Sequence, residues 1–479
     1  MPKMNDAERR HFMLTGKLWY VIFVIASPMI LMNIMNFMYN LVDLTLVADI
    51  SSLAVSAVAT TNQIKNTANS VSQGLSIAAT IILARAIGAN DFEKAKRLSR
   101  MILVFALGAC ILLCCTGLFL SEAIMAFCNV PESIIEISGQ YFAVQMITLG
   151  IGIFNAIYLS FEKSRGATTK IFTINFVLIV TKIILTIIFL EIHAEIISVA
   201  LATLVPNIFF FIFVIYKLGR KDYTYKFERK QVEFRKDDVK SYFKILWPIF
   251  VSKFVFTSGK VISNAIAADL GDTVVGSMSV SNNLGAATTT ITESTEETIS
   301  VIISQNLGNN NPRRAVNVFY IILAFNVVVS FIGMLVYTIW MNQLVGHYAG
   351  SDPEFYETIY SIFKYERWGV LGLGVNSAVI GFLLGFGYTK MTFVLNIFRL
   401  FCLRIPSLYI LINFTTFGAE AVGISMLLSN GGIGCISLTI GLICLRKVKK
   451  KYGLIGGGND ENQSTEDKEM ESEEAVSAV

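Results

Sequence analysis

Three glutamates, Glu293, Glu296 and Glu297, stand three and four residues apart in a mostly uncharged run, so on a helix they share one face. Lys253 and Lys260, seven apart, share a face of the preceding run, and Arg399 and Arg404 sit in a late apolar run. At 1.5 Å per residue, Lys253 and Arg399 lie about 14 Å from the ends of their runs and the glutamates about 10 to 16 Å, a common depth. An ion-pair network is expected among these seven groups. It could work as a proton relay, a substrate contact or a latch between helices. Earlier in the chain, Asp43 lies late in the first apolar run and Lys182 roughly 18 Å into a later one. If those helices adjoin, each charge favours the other and their titrations couple, so that protonating Asp43 frees Lys182. A static pair that only avoids an unpaired charge fits the same residue types. An ionisable group at bilayer depth costs a few kcal/mol, so all these groups are expected to face protein or water and to have a partner or a task.

Two uncommonly polar stretches complete the set. Asn62, Gln63, Lys65 and Asn66 fall in TTNQIKNTANS, and Asn282 and Asn283 open SNNLGAATTTITES. Lipid would not tolerate such faces. They are expected to line a central cavity, with tight packing through small and polar side chains as the alternative.

The elements that must carry these groups are membrane-spanning helices. The 479 residues are 54% hydrophobic and only 15% charged, against roughly 25% charged in soluble chains, and the mean hydropathy is +0.60. Runs of about 20 apolar residues, enough to cross a bilayer, follow one another almost end to end, which excludes a soluble enzyme. Twelve spans are expected, near Leu18–Val47, Leu53–Ala84, Ala95–Leu120, Pro131–Glu162, Lys170–Leu190, Ile196–Tyr216, Tyr242–Ala268, Thr273–Asn306, Arg313–Trp340, Asp352–Phe386, Lys390–Ile412 and Ala419–Leu445. Lysine and arginine crowd the N-terminal segment, alternate gaps and the segment after Leu445. The other gaps, around Asp49, Asn129, His193, Asp272, Gly346 and Thr415, contain none. Basic segments resist translocation, so both termini are expected in the cytoplasm of a multi-pass cell-membrane protein. The net charge of +4 is sorted by side of the membrane and implies no nucleic-acid partner. The cysteines show no paired ligand spacing and read as small core residues, and no metal is expected.

A shift of 220 residues superposes the chain on itself. Pro28 meets Pro248, Gly88 meets Gly308, Asn90 meets Asn310, Ala95 meets Ala315, and Thr169-Lys170 meets Thr389-Lys390. The expected organisation is a first six-helix lobe at 1–216, a basic cytoplasmic linker at 217–241, a second lobe at 242–450 and an acidic disordered tail at 451–479. Because each lobe carries an even number of spans, the repeats are parallel. At matched positions Asn33 faces Lys253, Asn40 faces Lys260 and Gln73 faces Glu293, so the charge belongs to the second lobe.

The Val42-Asp43 pair, the turns at Gly88 and Gly308 followed by Ala95 and Ala315, and Arg404-Ile405-Pro406 on twelve spans resemble the multidrug and toxin extrusion (MATE) family over nearly the whole chain. The resemblance implies an all-α, V-shaped two-lobe antiporter. Such a protein exports small amphipathic, often cationic, organic compounds in exchange for protons or sodium. It also implies that Asp43 is the first-helix coupling acid and that Thr203 is its sixth-helix partner. The fifth helix departs from the family: Lys182 and Thr186 stand where relatives show an Asn and an Asp, with Asn175 nearby. An ammonium there weakens the case for sodium held by oxygen donors. No cofactor beyond the ion gradient is implied, and the chain is expected to act as a monomer among membrane lipids. A flippase for lipid-linked oligosaccharide is the alternative, favoured by the many cavity bases. An enzyme is disfavoured because the chain has no helix-borne metal pair, Gly-x-Ser-x-Gly elbow or Walker loop.

Overall fold

The computed structural model of the chain describes residues 4–48, 52–127, 132–192, 196–220, 223–228, 231–350 and 352–454; the side chains of 40–48, 52–60, 62, 63, 127, 132–134, 196 and 272 lie outside the description. Within these residues the protein is helical throughout: α1 Asp6–Thr15, α2 Leu18–Ala48, α3 Ser52–Gly88, α4 Phe92–Phe127, α5 Glu132–Ser164, α6 Thr168–Ile192, α7 Ile196–Gly219, α8 Lys236–Ala268, α9 Asp272–Gly308, α10 Pro312–Ile339, α11 Met341–Ala349, α12 Pro353–Phe386, α13 Thr389–Ile397, α14 Ile405–Phe414 and α15 Glu420–Lys451. Among the described residues, those up to Gly441 pack as one compact unit and those from Leu442 form a second. In the second unit α15 runs on to Lys451, with Lys449, Lys450 and Lys451 in its last turn, where cations complement the helix dipole. Beyond residue 454 the acidic tail lies outside the described residues.

Among the described residues, eleven helical segments are long and apolar enough to cross a membrane. The twelfth expected span, α9, has the length, 37 residues, but not the hydropathy. Its surroundings explain why. It packs against α12, α10, α3 and α2 and buries Ser281, Thr288, Thr292, Ser294, Thr295 and Thr298. Thr288 pairs with the Tyr337 hydroxyl at 2.7 Å and Thr295 donates to Asn326 Oδ1 at 2.9 Å, while Thr292, Ser294 and Thr298 donate to carbonyls of the preceding turn of α9 itself. A helix enclosed by other helices has no need of an apolar surface.

The eleventh expected span is interrupted. Between α13 and α14, Phe398–Arg404 winds as a π-helix, and Ile405 N–H bonds back to Leu400 O. Pro406 lacks the N–H that an α-helix would use, and the wider turn absorbs the mismatch. Hydroxyls of Ser407 and Ser425 donate to the Arg404 carbonyl at 3.1 and 3.0 Å.

The two halves meet in a symmetric crossing where α3 and α9 end. Both helices stop at an asparagine in the left-handed region, Asn90 at φ 60° and Asn310 at φ 52°. In each, the following N–H reaches back into the last turn, Asp91 to Ala86 O and Asn311 to Asn306 O. A Cβ on Gly88 would stand 2.1 Å from Gln305 O, and one on Gly308 would stand 2.1 Å from Arg85 O. Position 305 is the repeat mate of 85, so the same contact is made twice about a pseudo-two-fold axis.

Two elements were not foreseen. One is α11, in a base-free gap. The other is α1, a polar helix opened by a capping box between Asn5 and Glu8. Arg10 of α1 donates to Ile87 O and Gly88 O at 2.8 Å each, and Arg314 at the start of α10 donates to Met13 O and Gly16 O. Asp6 is bound by Arg165 and by Thr224. Thus α1 straps both halves and the linker together. The linker, expected as a basic loop over 217–241, is shortened at both ends by α7 and α8. Its Tyr225 is fully buried, 5.2 Å from the Phe161 ring, and the Tyr223 hydroxyl donates to Glu162 at 2.9 Å.

Candidate functional site

The inner faces of α3, α8, α9, α12 and the α13–α14 rod enclose two adjoining chambers. One, of about 560 Å³, is lined from the first half by Asn33, Asn66, Asn69 and Gln73 and from the second by Lys253, Lys260, Glu293, Glu296, Glu297 and Arg399. The other, of about 580 Å³, is lined by Asn66, Lys260, Asn282, Asn283, Glu293, Glu366, Arg399, Arg404 and Asn430. Asn66, Phe256, Lys260, Glu293, Leu373 and Arg399 border both, so the two form a continuous hollow. All seven charged residues expected to form the second-half network face it, together with Asn66, Asn282 and Asn283.

The contacts within that set differ from expectation. Instead of an ion-pair network, the described residues show a single close pair, Lys163 Nζ to Glu297 Oε2 at 2.6 Å, and Lys163 belongs to α5 of the first half. None of Lys253, Lys260, Arg399 and Arg404 has a carboxylate within 4.0 Å among the described residues. Arg399 and Arg404 instead share one amide oxygen, donating to Asn430 Oδ1 at 2.8 and 3.2 Å, and Arg404 adds Ser429 at 3.1 Å. Lys260 Nζ and Arg399 Cζ lie 5.0 and 5.1 Å from the ring centroid of Phe256. The helix rotations aim the bases at open space and amides; spacing along the chain carries no information about rotation. Asn33 extends from the first half to Ser294 Oγ at 2.9 Å.

The first-half residues divide differently. Lys182 on α6 lies 4.1 Å from the centroid of Tyr39 on α2, one turn from Asp43, and α2 packs on α6. The helices therefore adjoin as expected, while the side chains of Asp43, Asn62 and Gln63 lie outside the described residues. Asn175 donates to Ile171 O at 2.9 Å and Thr203 to Val199 O at 3.2 Å, both bonds within their own helices. Lys65 donates to Gln145 on α5 at 3.3 Å, inside the first half and not among the residues lining the hollow.

Several groups escaped the sequence reading. Lys163 looked like one more topology-setting base. Glu366 on α12, bound by Ser281 Oγ, carried a signal in being an acid deep in an apolar run. Asn430 and Phe256 carried none. On the face where α1 lies, Asp6 and Arg165 form a half-buried cluster with Glu162. Burial pushes the Asp6 carboxyl up, but the hydrogen bond and charge of Arg165 outweigh it and hold Asp6 below its ordinary range. Burial likewise disfavours the Arg165 cation, yet Glu162 and Asp6 raise it well above its ordinary value. Its guanidinium also lies 5.6 and 5.7 Å from the ring centroids of Tyr223 and Tyr225.

The described residues contain no cluster of three His, Cys, Asp or Glu groups able to hold a metal ion. Side-chain bonds between the halves include Arg10 to Asn309, Arg85 to Gly385 O and Gln305 to Ser164 O near the α3–α9 crossing, and Lys163 to Glu297 and Asn33 to Ser294 beside the hollow. The fold has parallels in known proteins. The chain is 17% identical over 406 residues, 83% of its length and 88% of the relative's, to the probable multidrug resistance protein YoeA of Bacillus subtilis. Its fold matches a MATE protein crystallised in complex with MaL6 at a TM-score of 0.87, with 17% identity over 92% of this chain and 99% of that one. It also matches a mutant of the Vibrio cholerae MATE transporter VcmN at 0.84, with 19% identity over 90% and 97%. The model of the family described as MatE matches residues 28–188 and again 248–410, once in each half and with starts in the repeat register. The chain belongs to the MatE family, the multidrug and toxin extrusion (MATE) membrane transporters.

Proposed function

We propose that this protein is a secondary active antiporter of the cell membrane. It exports small amphipathic organic compounds in exchange for protons or sodium by alternating access between its two halves. The observation that carries the reading is the two-chambered hollow, lined by both halves at bilayer depth and bounded by the α3–α9 seam. The crowding of lysine and arginine in the N-terminal segment and alternate gaps supports a cytoplasmic side for α1 and the α3–α9 crossing. Asp43 and Lys182 on adjoining helices are the coupling pair, with Asn175 and Thr203 as neighbours on α6 and α7. Cationic parts of the cargo stand against Glu293 and Glu296. An ammonium beside the coupling acid favours protons over sodium, because a second positive charge opposes a bound cation.

The deciding measurement is uptake of an amphipathic dye into proteoliposomes under an imposed pH gradient and then under a sodium gradient. Accumulation driven by the pH gradient is expected. The second reading, a flippase for lipid-linked oligosaccharide, is favoured by the four bases that face the hollow with no carboxylate within 4.0 Å among the described residues, which suit a pyrophosphate head. A response to neither gradient together with flipping of a lipid-linked sugar would establish it.

A further inference from the structure

We propose that Lys260, Arg399 and Phe256 form a subsite for an anionic head group, a carboxylate or a phosphate, so that the cargo of this transporter includes anionic and zwitterionic amphiphiles. The inference deepens the transport reading and rests on it for its biological meaning.

The argument begins with charges that have nowhere to go. Four cationic heads face the hollow with no carboxylate within salt-bridge distance among the described residues. Two of the acids lining the hollow are engaged elsewhere, Glu297 by Lys163 at 2.6 Å and Glu366 by Ser281, while Glu293 and Glu296 face the hollow with the bases. Asn430 then draws Arg399 and Arg404 onto one neutral oxygen. Each guanidinium carries five donors, and these contacts occupy one on Arg399 and two on Arg404. Two like charges held on a single amide repel each other, and Glu293 and Glu366, which line the same chamber, answer them only from beyond 4.0 Å, so N–H donors remain for an incoming anion.

Phe256 supplies the other half of the chemistry. Lys260 Nζ and Arg399 Cζ lie 5.0 and 5.1 Å from its ring centroid, and it borders both chambers. A ligand with an oxyanion next to an apolar or aromatic body meets two cations and a ring in one place. Arg399 can grip a carboxylate or phosphate with a planar pair of N–H groups, which Lys260 cannot. Glu293 borders both chambers too, so a zwitterion can place its cationic end there.

The test is equilibrium binding to the full-length protein in nanodiscs, read by fluorescence anisotropy with fluorescein as the anionic probe and ethidium as the cationic one. Fluorescein is expected to bind the wild type and to lose at least tenfold in affinity in Lys260→Gln and in Arg399→Gln, with ethidium binding held within twofold. Absence of fluorescein binding to the wild type, or equal affinity in wild type and both variants, overturns the proposal. Should a variant lose ethidium as well, the wild type decides: displacement of fluorescein by millimolar inorganic phosphate supports the subsite, and its persistence overturns it. Adding a polyprenyl diphosphate to the nanodiscs separates the sources. Displacement identifies a lipid head as an occupant, and displacement by soluble benzoate alone identifies a soluble anion. No gradient is applied, so fluorescein binding without gradient-driven transport counts against the antiport reading only.

Discussion

The two halves agree where they touch and disagree where they face the hollow. At the seam, Gly88 against Gln305 mirrors Gly308 against Arg85, and Asn90 and Asn310 end their helices in the same left-handed turn. In the hollow, Asn33 and Gln73 of the first half stand at the repeat positions of Lys253 and Glu293 in the second. A duplicated chain must keep the contacts that let its copies close on each other, because a backbone crossing leaves no room for variation. A water-filled wall has no such constraint, so its charges can diverge and the copies can take different tasks.

The seam is where the comparison breaks with the largest effect. Gly88→Val and Gly308→Val each force a side chain into a backbone carbonyl 2.1 Å away. Each should destabilise the protein at or above the upper end of the about 1–3 kcal/mol typical of overpacking, and to a similar extent. Thermal unfolding followed by size-exclusion chromatography checks both, and a large difference between the two would deny the symmetry. Next in size, Asp43→Asn is expected to abolish proton-driven export at normal expression, measured as dye efflux; full retained transport would remove Asp43 from the coupling pair.

A sharper contrast concerns the matched pair Gln73 and Glu293. Glu293→Gln should reduce transport of a cationic dye about tenfold, and Gln73→Ala less than threefold, a spread of roughly 1 kcal/mol in transition-state terms. Equal losses would mean that the walls share the work. The bridge between the halves is smaller still. With Glu297 about a third exposed, a double-mutant cycle of Lys163→Gln and Glu297→Gln should give a coupling of about 0.5–1 kcal/mol in thermal stability. The smallest effect is in pH. Asp6 is held below its ordinary range by Arg165, so its contribution is fully present above the unfolded value of about 3.9. It disappears only as the pH falls through the lower folded value. The protection factors of the α1 amides, which divide out the intrinsic pH dependence of hydrogen exchange, should therefore be flat between pH 6 and 8 and fall only in strong acid.

How much of this was legible in the chain depends on what each feature requires. The repeat register, the twelve spans and the charged second half follow from residue order and hydropathy. The capping box Asn5-Glu8 could have announced α1, but a short polar helix gives no hydropathy signal beside the long apolar runs. The convergence of Lys253, Lys260, Glu293, Glu296, Glu297, Arg399 and Arg404 on one space was foreseeable from depth alone. Their lack of mutual ion pairs was not, since the Phe398–Arg404 π-turn rotates the arginines toward Asn430. Lys65 shows the same limit, sharing a polar stretch with Asn66 but pointing to Gln145.

Membrane class, internal duplication and the depth of each charge belong to the sequence by itself, because they depend only on the order and polarity of residues along a helix of known rise. Which charge meets which, that the halves cross through two glycines, and that Lys260 and Arg399 meet at Phe256 were decided by the tertiary structure. Those outcomes turn on the rotation and crossing of packed helices, where a few ångströms separate a salt bridge from an open site.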